Sequence, residues 1–252
     1  MTAHKTVVIT GGGKGIGADI ARVFYDAEYR VIIGSRTDHG ISEKLGENAW
    51  FCETDVRQPS DLHALVAYAV EKTGAVHVMI NNAGYSGWRT LAGIDESFWQ
   101  DMIDTNLKGV LFGCQAAARQ MRGKGGCIIN VSSLAGKRGS ANNSVYCASK
   151  FGVNGITQAL AKEIGGQNIR VNAVCPVFVK TDGVIEALQE NDSPAGGTDV
   201  SAFLDSFMRA QSALGRLPLG EEVGNACLFL ASEKASAITG QCINVDCGVL
   251  PQ

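Results

Sequence analysis

The sequence predicts an α/β fold, a single domain over residues 1–252 built on a doubly wound parallel sheet of about seven strands. Three observations carry this. Short β-rich apolar runs recur along the chain, continuous rather than alternating, as strands covered by helices on both faces require. Stretches with helical spacing separate them, and strand, helix, strand in regular alternation means a parallel sheet. A glycine-rich turn joins the first strand to the first helix.

Taken in order, the first strand is Thr6–Thr10; Met1–Lys5 runs straight into it, which leaves no room for a signal peptide. The first helix is expected over Gly15–Tyr29, with Ile16, Ile20, Val23 and Phe24 on one face. Strands at Arg30–Gly34 and Trp50–Glu53 follow, then a helix at Ser60–Thr73 and a strand at Val76–Asn81. Ser97–Arg122 reads as one long helix, Cys127–Ser132 as a strand, Ser144–Gly165 as a helix and Arg170–Cys175 as a strand. Residues 177–218 break the rhythm with no strand of their own. Within them Asp199–Gln211 has helical spacing and carries Phe203, Leu204 and Phe207. A connection this long inside a compact domain marks a substrate lid. Helix Glu221–Ala231 and strand Cys242–Val245 complete the sheet.

The composition excludes several classes. A net charge of −3 with dispersed Lys and Arg gives no footprint for nucleic acid or an anionic membrane. No uncharged apolar run reaches the ~18 residues of a membrane span. The eight cysteines are scattered without a CxxC pair, so they read as reduced thiols of a cytoplasmic protein rather than a disulfide framework or a metal site. His39, His63 and His77 stand isolated, and no metal is expected.

Two motifs carry chemistry. Thr10-Gly-Gly-Gly-Lys-Gly-Ile-Gly17 lies between a strand and a helix. Gly11 must turn tightly, Gly15 lets the backbone approach a pyrophosphate, Gly17 allows close helix packing, and the helix start offers free N–H groups to phosphate. Its Gly-x-x-x-Gly-x-Gly spacing is wider than the usual Gly-x-Gly-x-x-Gly. The second motif is Tyr146 and Lys150, four residues apart and so on one helix face, with Ser133 thirteen residues upstream of the tyrosine. A lysine held against a phenol favours the phenolate and lowers its pKa from about 10, which predicts a proton donor and acceptor working near neutrality.

Together these motifs resemble the short-chain dehydrogenase/reductase family, over Lys5 to about Gly248, in the family's order and spacing. The resemblance implies a Rossmann-type sheet and a catalytic set of Asn106, Ser133, Tyr146 and Lys150, with the Asn106 carbonyl holding a water of the proton relay. The thirteen-residue spacing selects Ser133 over Ser132. The resemblance also sets Gly11, Lys14, Gly15, Ile16, Gly17, Asp55, Val56, Asn82, Ala83, Gly84, Tyr146, Lys150, Pro176 and Thr181 against the cofactor, with Asp55-Val56 at the adenine and Thr181 at the nicotinamide carboxamide. Two departures stand out. The family's Pro-Gly reads Pro176-Val177, adding a side chain beside the nicotinamide, and its Asp-Gly-Gly reads Asp246-Cys247-Gly248.

Charge selects the cofactor. An acidic residue ending the second strand would accept the ribose hydroxyls of NAD. Ser35 stands there instead, followed by Arg36, with Lys14 in the glycine turn; two cations and no carboxylate suit the 2′-phosphate of NADP. Asp38 would reverse this if the strand ended two or three residues later. The expected activity is NADP(H)-dependent hydride transfer between a nicotinamide and a ketone or secondary alcohol, with Tyr146 as general acid and base. The other readings are a catalytically silent NADP(H)-binding regulator and an NAD-dependent polyol or sugar dehydrogenase. Trp88, Asn142, Asn143 and Phe178 border the expected site. The resemblance further implies a homodimer or homotetramer paired through the helices at 97–122 and 144–165, with Cys242–Val249 at another interface.

Overall fold

The computed structural model describes residues 4–251; the expectation for the amino terminus falls partly on residues 1–3, outside the described residues. Seven parallel strands form one sheet in the order β3-β2-β1-β4-β5-β6-β7. They are β1 (Thr6–Thr10), β2 (Arg30–Ser35), β3 (Ala49–Glu53), β4 (Val78–Asn81), β5 (Gly126–Val131), β6 (Ile169–Pro176) and β7 (Cys242–Val245). The order reverses between β1 and β4, so the crevice outside their carboxyl ends is the expected binding place.

Both faces are covered, which is why the central strands are predominantly apolar. On one face α1 (Gly15–Asp26) lies over β1 and β2 and packs beside α9 (Gly220–Ala231), which lies over β5 and β6, together burying Ile20, Phe24, Val223 and Leu230. On the other, α3 (Pro59–Thr73), α5 (Gly109–Met121) and α6 (Ser144–Ile164) bury Leu62, Leu65, Met121 and Val153. Phe24 is fully buried, and truncating it to alanine is expected to cost about 3–5 kcal/mol.

Beyond shifts of one or two residues at the ends of elements, such as β4 beginning at Val78 rather than Val76, the structure departs from the sequence reading at four places. The helix expected over 97–122 is broken: α4 (Glu96–Ile103) runs into a π-helical turn at Asp104–Lys108 before α5 begins. Two short helices had no expectation, α2 (Ile41–Leu45) and α7 (Asp182–Leu188). α1 stops at Asp26, because Glu28 takes a left-handed φ of 62° and turns the chain into β2. The 177–218 segment has no strand, as expected, and holds α7 and α8 (Val200–Gln211). At the carboxyl end Cys247 adopts φ 54°, the left-handed region where the family's glycine would be unstrained.

Candidate active site

The glycine turn is held open by β4. Gly11 has φ +65°, and a Cβ there would lie 2.8 Å from the Ala83 Cα; a Cβ on Gly17 would collide with the Gly11 carbonyl and the Asn82 side-chain amide. Asn82 Nδ2 donates to the Thr10 and Gly11 carbonyls at 3.1 Å each, while Thr10 Oγ1 accepts from Asn82 N and Ala83 N, also at 3.1 Å. Asn81 points inward and donates to Asn130 Oδ1 at 2.9 Å, tying β4 to β5. Helix α1 follows Lys14 with no side-chain cap and no acidic residue in its first turn, so its free N–H groups are left for an anion. This turn fits the pyrophosphate of a dinucleotide.

At the adjoining end of the sheet, β2 ends at Ser35 as the charge argument required. Asp38 is not among the residues that line the cleft, and its carboxylate accepts from Gly40 N at 2.8 Å within its own loop. Lys14 and Arg36 are exposed and line the cleft. Asp55 pairs with Arg57 at 2.7 Å, and that guanidinium holds its carboxyl below the usual range.

The second half of the site rests on α6 and the end of β5. The i, i+4 spacing puts Tyr146 and Lys150 on one face, with the Lys150 Nζ 5.7 Å from the Tyr146 ring centroid. Ser133 lines the cleft with Tyr146, its hydroxyl opposing the rise in the phenol's pKa, and its Oγ accepts from Ala135 N at 3.1 Å. Ser132 turns away and donates to the Lys150 carbonyl at 3.3 Å, so it braces the helix rather than the phenol. Lys150 is buried, and its Nζ donates to the Val131 carbonyl at 2.9 Å.

The electrostatics correct one expectation. Tyr146 is not pulled down by Lys150; burial pushes its pKa up to about 12, and the Ser133 hydroxyl only partly opposes this. Burial also pushes Lys150 down to about 8. Helical spacing puts the ammonium over the ring and against a carbonyl, so desolvation, which disfavours both charged forms, outweighs the attraction between them.

Asn106 is fully buried in the π turn and stands behind the cleft, apart from the residues that line it. Its side chain is used on the backbone of Tyr85, donating to the carbonyl at 2.8 Å and accepting from the amide at 3.0 Å. Every other residue expected at the site lines one cleft of about 1450 Å³: Gly11, Lys14, Gly15, Ile16, Gly17, Ser35, Arg36, Asp55, Val56, Asn82, Ala83, Gly84, Ser133, Tyr146, Lys150, Pro176 and Thr181. Thr181 Oγ1 caps α7, accepting from Val184 N at 3.3 Å. Val177 lines the cleft and also packs in the cluster of Leu134, Cys175 and Val249.

Beyond Tyr146 the walls are aromatic. Phe178 meets Phe203 and Phe207 edge to face, with centroids 6.1 and 5.1 Å apart. Trp88 is 4% exposed, packed on Leu188 and Leu204 as well as lining the cleft. The sequence reading missed a clasp here. Glu190 Oε2, just after α7, accepts from Trp88 N and Arg89 Nη1 at 2.9 Å each. Asp192 Oδ2 accepts from Thr90 N at 3.0 Å, the Asp192 carbonyl from Asn142 Nδ2 at 3.0 Å, and the Asn142 carbonyl from Arg89 N at 2.8 Å. Three segments far apart in sequence thus close one end of the cleft.

Known proteins match this arrangement over nearly its whole length. A family model described as enoyl-(acyl carrier protein) reductase matches residues 11–250. The 3-oxoacyl-(acyl-carrier-protein) reductase of Chlamydia trachomatis is 35% identical, covering 99% of this chain and 98% of that protein. The enzyme of the same name from Staphylococcus aureus is 34% identical, covering 99% of each. The solved structure of an actinorhodin polyketide ketoreductase variant with NADPH superposes with a TM-score of 0.89 at 34% identity, covering 98% of this chain and 97% of that one. Matched by that family model over residues 11–250 and by such relatives over nearly its full length, the chain belongs to the short-chain dehydrogenase/reductase family of oxidoreductases.

Proposed function

We propose that the chain is an NADP(H)-dependent carbonyl reductase that also works in reverse as an alcohol dehydrogenase, on a ketone or secondary alcohol. The observation that carries this reading is the meeting of two halves in one cleft. An uncapped helix start flanked by Lys14 and Arg36 suits a phosphorylated dinucleotide, and Tyr146 with Ser133 and Lys150 stands beyond it. The names of the relatives, which reduce 3-oxoacyl groups or carry NADPH, support the same assignment.

A bound nicotinamide would supply the hydride. Tyr146, protonated at neutral pH because burial holds its pKa near 12, donates its proton to the carbonyl oxygen as general acid. Ser133, lining the cleft with Tyr146, holds that oxygen and stabilises the negative charge developing on it. Lys150, at about 8, exchanges protons with solvent near neutrality and restores the proton to Tyr146. The side chain of Asn106 is committed to Tyr85, which leaves its main-chain carbonyl for the relay water. The 177–218 segment serves as the substrate lid, and Phe178, Phe203 and Phe207 favour an apolar group on the ketone.

The quaternary proposal is a homodimer or homotetramer. Ala116 and Ala117 are spent on the core, but Leu111 on α5 and Phe151 on α6 are 40% and 49% exposed and give these helices an outward apolar face. The eight free thiols suit a reducing compartment such as the cytoplasm. Among the described residues no helix is long and apolar enough to cross a membrane.

The test is the absorbance of NADPH or NADP mixed with a panel of ketones and alcohols. Turnover with at least one, faster than with NADH or NAD, is expected. Tight NADPH binding with no turnover of any carbonyl or alcohol would mark a binding protein and refute the proposal.

A further inference from the structure

We infer that His39 is a third ligand of the cofactor's 2′-phosphate, beside Lys14 and Arg36, and so a determinant of NADP(H) over NAD(H). The inference rests on the NADP(H) reading of the cleft and names a residue that the charge argument passed over.

The wall at the end of β2 is made by Gly13, Lys14, Ser35, Arg36, Thr37 and His39. A phosphate there needs donors. Ser35 stands where a hydroxyl would be the first choice, but its Oγ donates to the Thr37 carbonyl at 2.9 Å, so its one hydrogen is committed. Asp38 is the carboxylate that could repel a phosphate, and its Oδ1 is turned onto Gly40 N at 2.8 Å. These two bonds fix the Ser35–Gly40 loop from within, and the loop then presents His39 to the cleft.

The imidazole lies directly on the glycine turn. Its Cδ2 is 2.8 Å from where a Cβ on Gly13 would stand, so a side chain at Gly13 would push the ring from this position. Among the described residues neither ring nitrogen of His39 has a hydrogen-bond partner. A neutral imidazole has one N–H and an imidazolium two, so His39 can donate to a phosphate oxygen in either state. The charged groups lining the same end of the cleft are Lys14, Arg36, Asp55, Arg57 and Asp101, and both carboxylates are held by Arg57, at 2.7 and 3.4 Å. A second anion is therefore met by cations and by the ring.

The test is equilibrium binding of NADPH and NADH, followed by cofactor fluorescence, to the wild type, His39→Ala and His39→Gln. One lost hydrogen bond to a phosphate predicts a Kd for NADPH about fivefold to tenfold higher in His39→Ala, with NADH held within about twofold. His39→Gln, whose amide can donate, should fall between the two. A loss shared equally by NADPH and NADH would mean that His39 only shapes the loop, and unchanged NADPH binding in both variants would remove it from the site; either overturns the inference. A wild type that binds NADPH no tighter than NADH overturns the cofactor reading itself, and the inference with it.

Discussion

Replacing Lys150 by methionine should make the pH dependence of stability report the burial of its ammonium. Lys150 is 4% exposed, and burial lowers its pKa from 10.5 to about 8. In the folded protein the charged form is therefore disfavoured by about 2.5 pH units, or about 3 kcal/mol. The sign follows from proton linkage. Between pH 8 and 10.5 the unfolded chain keeps the proton that the folded chain has released, so stability gains from Lys150 as pH rises through that window. Below pH 8 the whole penalty applies to the wild type and is absent from a methionine of similar length. The unfolding free energy of wild type minus Lys150→Met should thus rise by about 2–3 kcal/mol between pH 7 and pH 10. Denaturant titrations of the cofactor-free proteins at the two pH values measure it. A difference that stays flat would mean that the ammonium is solvated or fully compensated, and that the desolvation argument for Lys150 is wrong.

Arg36→Ala should raise the KM for NADP(H) about tenfold while leaving that for NAD(H) nearly unchanged, as loss of one charge-assisted bond predicts; steady-state kinetics with both cofactors decide it. Glu190→Ala removes the acceptor shared by Trp88 N and Arg89. Because the ion pair is 39% and 32% exposed, only about 1 kcal/mol is expected, read as about a fivefold rise in ketone KM with the NADPH Kd unmoved. Light scattering at micromolar concentration should give at least a dimer mass, and Leu111→Lys with Phe151→Lys should lower it; a monomeric wild type contradicts the interface.

What the sequence revealed was what local pattern encodes. The strands were legible because each is a continuous apolar run, and β1 and β7 match their expected bounds to the residue. The glycine turn was legible because Gly11 and Gly17 each meet atoms that leave no space for a Cβ. The π turn at Asp104–Lys108 was not, since one widened turn leaves the apolar spacing on either side almost intact. Helix α7 was too short for periodicity, although Thr181 ahead of Val184 is a cap signal that could have placed its start. The Glu190 clasp joins residues about a hundred positions apart, which no local pattern can reveal. The direction of the Tyr146 shift was missed for a related reason: spacing says which side chains share a face, while burial, which decides the sign, depends on the whole fold.

The most direct test of the central claim is Tyr146→Phe, assayed for NADPH consumption with an accepted ketone beside NADPH binding to the same preparation. Loss of the general acid predicts turnover reduced by about 10²–10⁴-fold, with the NADPH Kd close to that of the wild type. A variant that binds NADPH and keeps near-wild-type turnover would remove Tyr146 from the mechanism and contradict the account.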